Sequence, residues 1–76
     1  YITSEKALTV VKNAFKEKGP INGSWIYTVR ESYTDSGETY SIYKAGITRT
    51  ADSELEQYEA FVDAKSGNIL HVEQIA

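Results

Sequence analysis

The sequence has no cysteine, no methionine and only one proline in its 76 residues. Without cysteine, neither a disulfide framework nor a thiolate metal site can stabilise the fold. No apolar run reaches the ~18 residues that a membrane helix needs, and the first residues lack the pattern of a signal peptide. Because the chain starts at Tyr1 rather than at a methionine, we expect it to be a processed piece with any targeting segment upstream.

A basic charge excess is also missing: 8 Lys and Arg residues stand against 11 Asp and Glu residues, for a net charge of −3. Nucleic acids and anionic membranes both need a basic surface, so we expect neither as a partner and no membrane insertion of this segment. A chain of this length buries only about 60% of the surface of its unfolded form. We therefore expect one domain over residues 1–76, with a thin core and no cofactor.

The first segment of the chain, Ile2 to Lys18, has the spacing of an amphipathic helix. Its apolar stripe consists of Ala7, Val10, Val11 and Ala14, widened by Leu8 and Phe15. Thr3 is the expected N-cap, with Ser4 as the alternative, because either hydroxyl can accept a free backbone N–H. Gly19 predicts a left-handed C-terminal cap, and Pro20 prevents continuation of the helix.

The rest of the chain alternates between strand patterns and short polar turns. Strands are predicted over Ser24 to Tyr33 and Thr39 to Thr50, and two more in a hairpin over Tyr58 to Glu73. Gly46, inside the second strand, predicts a bulge, bend or break. The sequence therefore predicts an α+β fold, with one N-terminal helix packed on an antiparallel sheet of about four strands.

The clearest turn in the sequence connects the two strands of the last hairpin. The Asp63 side chain can accept a hydrogen bond from a backbone N–H two or three residues later, which starts a turn. Gly67 can take a positive φ without a clash, which lets the chain return. We therefore predict a structural role for both residues.

Apolar residues fall on both faces of the predicted sheet, although one helix covers only one face. Either another copy, another domain or a target covers the second face, or these residues are single exposed hydrophobes. We interpret Trp25, Tyr27 and Tyr58 as core and cross-strand packing. The candidates for a protein-binding surface are Ile26, Tyr33, Tyr40, Tyr43 and Phe61.

Catalytic and metal chemistry find little support in the sequence. His71 and Glu73 share a strand face, so a general-base pair is geometrically feasible, but an exposed histidine beside a solvated acid explains them better. The acidic residues around positions 52–59 are better explained as turn residues and a solvated strand edge, and the loops at 35–38 and 63–67 lack the alternating oxygen ligands of a calcium site. We therefore predict no catalytic, cofactor or metal site, and no enzymatic activity.

The two ends of the chain resemble one known family. The run Tyr58 to Leu70, which reads YEAFVDAKSGNIL, resembles the C-terminal signature of PepSY domains. The run Ile2 to Leu8, which reads ITSEKAL, resembles the start of the helix in the same family. The middle of the chain, Pro20 to Leu55, matches only in being rich in strands.

This resemblance implies a small α+β module without catalytic residues, found in propeptides of secreted metallopeptidases and in bacterial envelope proteins. It implies an extracellular or cell-envelope location. Its expected function is to bind a protein partner, either a secreted peptidase that it regulates or inhibits, or another envelope protein. The alternative is a structural, self-associating domain of a larger envelope protein or lipoprotein, with a homodimer as one form.

Overall fold

The computed structural model describes residues 1–17 and 19–76 and places one helix before a five-stranded sheet. All pairings within the sheet are antiparallel. This confirms the predicted α+β class, with five strands in place of about four. The elements are α1 (Ser4–Lys16), β1 (Gly23–Ile26), β2 (Glu31–Asp35), β3 (Glu38–Ala51), β4 (Glu54–Asp63) and β5 (Ile69–Gln74).

Helix α1 begins as the sequence predicts and ends earlier than predicted. The Thr3 hydroxyl oxygen accepts the Lys6 backbone N–H at 3.1 Å, which confirms Thr3 as the N-cap. The helix ends at Lys16, and Lys18, the predicted end, lies outside the described residues. Gly19 has a φ of 131°, a value that side chains disfavour, so a glycine suits this position.

A narrow line of side chains on α1 carries its packing against the sheet. Ala7, Val11 and Phe15 are buried, at intervals of four residues that place them on one face. Ala14, which the sequence places in the same stripe, is exposed. The buried stripe is therefore narrower than predicted.

The strand predicted over Ser24 to Tyr33 is divided in two. Both halves, β1 and β2, pair with the same edge of β3, in registers that place Ile26 opposite Ala45 and Glu31 opposite Ile42. Residues 27–30, between β1 and β2, therefore lie opposite only two residues of β3. The two extra residues interrupt the strand, as in a β-bulge. This interruption accounts for the additional strand in the count.

Strand β3 is the centre of the sheet, and its alternating side chains define the two faces. Tyr43, Ala45 and Ile47 point towards α1 and belong to the main core. The face opposite α1, which we call the open face, receives the even-numbered residues of β3. Ile42, on the open face, is 1% exposed, so other side chains of that face cover it.

Gly46 does not bend or break β3, contrary to the sequence-based prediction. Strand β3 runs without interruption from Glu38 to Ala51. Gly46 lies directly opposite Trp25 of β1, and the indole ring fills the space that a Cβ on Gly46 would need. The glycine therefore serves close approach of a neighbouring ring, which is the other common reason for glycine in a strand.

The start of α1 is fastened to the β4–β5 turn. The Ile2 backbone N–H donates to the Ala64 carbonyl oxygen at 2.7 Å, and the Tyr43 hydroxyl donates to the Ile2 carbonyl oxygen at 3.0 Å. Gly67 has the predicted positive φ, at 79°. The two segments that carry the family resemblance therefore meet in the fold.

Candidate protein-binding surface

An aromatic group on the open face is formed by side chains from β2, β4 and β5. The rings of Tyr33 and Phe61 meet edge to face, with centroids 5.1 Å apart. The imidazole of His71 lies 5.2 Å from the Phe61 ring and 6.4 Å from the Tyr33 ring. We call these three residues the open-face cluster.

Charged side chains border the open-face cluster. The Lys44 ammonium lies 5.2 Å from the centroid of the Phe61 ring, within the range of a cation–π contact. The same nitrogen lies 3.3 Å from a Glu31 carboxylate oxygen, across the β2–β3 pair. On the other side of the cluster, His71 Nε2 lies 3.6 Å from Glu73 Oε2. The cluster is therefore an aromatic centre with a polar rim, an arrangement typical of protein interfaces.

Three of the five predicted surface residues lie on the open face. Tyr33 and Phe61 belong to the cluster, and Tyr40 lies directly opposite Tyr33 in the β2–β3 register. All three are partly exposed. Their proximity depends on pairing between strands distant in sequence, so a strand pattern alone could only nominate them.

The other two predicted surface residues face the helix, which corrects the sequence-based expectation. Ile26 lies opposite Ala45, so it shares the helix side and packs against the main core. Tyr43 is only 5% exposed and uses its hydroxyl to hold Ile2. Neither side chain can contribute to a surface on the open face.

Sequence reasoning missed three open-face contributors: Trp25, Lys44 and His71. Trp25 was interpreted as core and cross-strand packing, and it does pack across the strands on Gly46, but on the open face. His71 reaches Phe61 because the β4–β5 register shifts between Phe61 and Val62, which leaves Leu70 unpaired. No signal in the sequence marks this shift.

Hydrogen bonds displace the pKa of two acidic groups near the edges of the open face. The Tyr40 hydroxyl donates to Glu38 Oε2 at 3.0 Å, and this bond to a carboxylate raises the pKa of Tyr40. Asp63 accepts the Lys65 backbone N–H at 2.9 Å and the Ser66 hydroxyl at 2.9 Å. These bonds, the Lys65 N–H foremost, lower the pKa of the Asp63 carboxyl. Asp63 therefore organises the turn, as the sequence predicts.

His71 and Glu73 form a pair that solvent reaches. The side chains of His71 and Glu73 are 42% and 47% exposed, so water screens their interaction. Within residues 1–17 and 19–76, no group of three or more His, Cys, Asp or Glu side chains is placed to hold a metal ion. The single described helix is too short and too polar to cross a membrane.

The free edge of β5 adjoins a second apolar feature, on the helix side of the sheet. A shallow groove of about 250 Å³ is lined by Ala14 and Phe15 of α1 and by Ile69 and Val72 of β5. Val72 is 43% exposed there. Helix α1 lies mainly over β1, β3 and β4, which leaves the outer part of β5 uncovered.

Comparison with known proteins identifies one family and one similar protein sequence. The family model described as "Peptidase propeptide and YPEB domain" (PepSY) matches residues 1–73. The Uncharacterized protein YtzB of Bacillus subtilis (strain 168) is 64% identical over 72 residues, which cover 95% of this chain and 69% of that protein. No solved structure matches the chain.

Proposed function

The chain belongs to the PepSY family, and from this premise we propose that it is a non-enzymatic, extracytoplasmic module that binds a secreted peptidase and regulates or inhibits it. The family description names peptidase propeptides, which supports a peptidase as the partner. Support for a binding role, rather than a catalytic one, comes from the open face.

The single observation that carries this proposal is the open-face cluster. Tyr33, Phe61 and His71 present adjoining rings on a sheet face that no helix of the described chain covers. Tyrosine and tryptophan are enriched in the energetic centres of protein interfaces, since they bring large area at low entropic cost. Trp25, elsewhere on the same face, extends this aromatic surface.

The charges around the cluster suit orientation of a partner more than catalysis. Lys44 is already paired with Glu31, and His71 with Glu73, so each basic side chain at the rim has an acidic neighbour. A rim of this kind contributes to specificity and to association rate more than to affinity. The partner we propose would therefore bury an apolar or aromatic side chain at Phe61 and meet polar groups around it.

The test is inhibition of purified secreted metallopeptidases by the purified chain, with and without the double substitution Tyr33→Ser and Phe61→Ser. We expect the unsubstituted chain to slow at least one peptidase, and the double variant to lose at least tenfold in affinity, about 1.4 kcal/mol. Circular dichroism and thermal melting establish that the double variant is folded at the assay temperature.

Leu55→Ser is the matched control. Leu55 is 60% exposed and lies six residues before Phe61 on β4, which is a distance of about 20 Å along a strand. Its substitution removes exposed apolar area without touching the open-face cluster, so inhibition should be unchanged. If the chain neither inhibits nor binds any peptidase of the panel, the peptidase proposal is wrong. If Leu55→Ser loses as much affinity as the double variant, the binding site is not the open-face cluster.

A second candidate function, a structural domain of an envelope protein, is favoured by the uncovered edge of β5. A free strand edge is a template for pairing with another chain. The two candidates use different surfaces, so experiments can separate them.

A further inference from the structure

We propose that a second copy of this chain pairs with the first along β5, antiparallel, about a two-fold axis at Val72. This inference goes beyond peptidase binding, and it uses the β5 edge, which shares only His71 with the open-face cluster. It follows from three features of β5: the direction of its free backbone groups, the order of its charges and the apolar groove beside it.

The free backbone groups of β5 are identified by the hydrogen bonds on its other side. The Ile75 backbone N–H donates to the Gln57 carbonyl oxygen at 2.8 Å, towards β4. Because backbone groups alternate in direction along a strand, those of Glu73 also point towards β4, and those of Val72 and Gln74 point away. An antiparallel neighbour centred on Val72 would therefore receive two backbone hydrogen bonds at the axis itself.

The charges of β5 are self-complementary about Val72. His71 and Glu73 flank Val72 and share the open face. Antiparallel pairing at Val72 places His71 of each copy directly opposite Glu73 of the other. An imidazole N–H can donate to a carboxylate in either protonation state of the ring. Opposite charges in this position stabilise a sheet.

Other axes along β5 lose this complementarity. An axis at Glu73 places two Glu73 carboxylates against each other, and an axis at Gln74 places Glu73 against Ile75. Like charges directly opposite each other destabilise a strand pair. The sequence of β5 therefore selects the Val72 axis among its neighbours.

Glu73 already faces a like charge inside the chain. Its cross-strand partner on β4 is Glu59, so two carboxylates lie side by side at the sheet edge. His71 Nε2 lies 3.6 Å from the Glu73 carboxylate on the same face. His71 of a second copy would supply another donor to Glu73, from the side opposite Glu59.

The groove beside β5 gives the dimer an apolar contact. A two-fold axis perpendicular to the sheet keeps both helices on one side, so the two grooves at Ala14, Phe15, Ile69 and Val72 would join. Val72 of one copy would lie against Val72 of the other, in place of the water that now meets it. The joined sheet would contain ten strands.

The experiment is sedimentation equilibrium of the chain at neutral pH, with charge reversal at β5. Pairing along one short strand buries less than the ~1,600 Å² of a standard interface, so the dimer is expected to be weak and the series extends to ~1 mM. We expect reversible dimerisation of the unsubstituted chain and at least tenfold weaker association of Glu73→Lys. That variant removes the Glu59–Glu73 repulsion, so its melting temperature should not fall.

Two further variants make the result specific. The exchange of charges in His71→Glu with Glu73→Lys restores opposite charges across the axis, so association should return towards that of the unsubstituted chain. Glu54→Lys makes the same charge change on β4, away from β5, and should leave association unchanged. In hydrogen exchange, the Val72 amide should be protected at high concentration only.

A monomer at every concentration would overturn the proposal. So would a dimer that persists in Glu73→Lys, or a double variant His71→Glu with Glu73→Lys that stays monomeric. Peptidase inhibition is therefore measured separately with the unsubstituted chain, because His71 belongs both to the β5 edge and to the open-face cluster. Conversely, a chain that dimerises but inhibits no peptidase would retain this inference and lose the proposed function.

Discussion

The indole ring of Trp25 lies where a side chain of Gly46 would be: a Cβ on Gly46 would overlap ring atoms Cζ2 and Cε2 of Trp25. The two residues are directly opposite each other on β1 and β3. Carbon atoms in contact are normally ~3.5–4.0 Å apart, so even one methyl group cannot be accommodated without movement. The absence of a side chain at position 46 is therefore what allows the tryptophan to pack on the open face.

Gly46→Ala is expected to destabilise the fold by about 1–3 kcal/mol, the usual cost of overpacking. The methyl group forces either the indole or β3 to move, because β3 is held by neighbours on both of its edges. Chemical denaturation gives the free energy of unfolding. Since Trp25 is the sole tryptophan, its fluorescence should report the displaced ring.

Gly23→Ala is the matched control, since Gly23 also lies in a strand and no atom lies within 4 Å of an added Cβ. Its effect on stability should be within ~0.5 kcal/mol of zero. Equal destabilisation by the two alanines would mean that the Trp25 contact is not the cause.

The sequence predicts the helix and the last turn well because their signals are local. The Thr3 cap, the buried four-residue spacing and the Asp63–Gly67 turn each depend on a few adjacent residues. The errors have non-local causes. The prediction of a bulge, bend or break at Gly46 used only the flexibility of glycine. The role of Gly46 instead depends on Trp25, which is 21 residues away in the sequence.

The candidate site was only partly predictable for the same reason. Tyr33, Tyr40 and Phe61 were nominated as surface aromatics, but their sharing of one face requires the register of three strands. Alternation holds across the interruption at residues 27–30, since Trp25 and Tyr33 both lie on the open face, and Ile26 was placed on the wrong face because Trp25 was interpreted as core. The alternation of side chains along a strand also cannot predict that Leu70 is unpaired, which is what places His71 opposite Phe61.

Asp63→Asn is expected to lower stability at neutral pH by about 1 kcal/mol, as its charge and one acceptor oxygen are lost. The pKa of Asp63 is lowered in the fold by the Lys65 N–H and the Ser66 hydroxyl, against an unfolded value of ~3.9. A lowered native pKa means that this stabilisation is complete above the unfolded value and is lost as pH falls through the native value. The difference in free energy of unfolding between the unsubstituted chain and Asp63→Asn should therefore narrow below pH ~4.

The measurement is urea denaturation between pH ~2 and ~7, a range that spans both titrations. Asp35→Asn is the control at another hairpin turn, where the carboxylate has only a 3.5 Å contact with the Ser36 hydroxyl. Its stability difference should be small at every pH. A gap for Asp63→Asn that widens in acid would contradict the assignment.

Ser53→Gly is expected to stabilise the fold by up to about 1 kcal/mol. Asp52 and Ser53 form the two-residue β3–β4 turn with φ values of 51° and 68°, a conformation in which ordinary side chains are strained. Glycine removes this strain at a smaller cost in unfolded-state entropy. Thermal melting measures the gain, with Ser24→Gly in β1 as a control that should be destabilising, and a loss of stability in Ser53→Gly would refute the turn geometry.

The Tyr58 hydroxyl belongs to a triangle of side chains on the helix side of the sheet. It donates to Glu56 Oε1 at 3.0 Å, while Arg49 lies 3.4 Å from the hydroxyl and 3.3 Å from the same carboxylate. The Arg49 side chain is 13% exposed, and the Tyr58 hydroxyl is the first cause of its raised pKa. The Tyr58 ring also packs against Phe15, so the triangle connects α1 to the β3–β4 hairpin.

Tyr58→Phe should therefore cost about 1 kcal/mol, because it removes one hydrogen bond and leaves Arg49 and Glu56 less satisfied in a partly buried place. Tyr40→Phe is the matched control: its hydroxyl makes one bond of the same length, to Glu38, in an exposed place. There water replaces the lost partner, so the free energy of unfolding should change much less than in Tyr58→Phe. Similar costs in the two variants would show that burial of the triangle adds nothing, and the connection between α1 and the hairpin would then rest on the Phe15–Tyr58 ring contact alone.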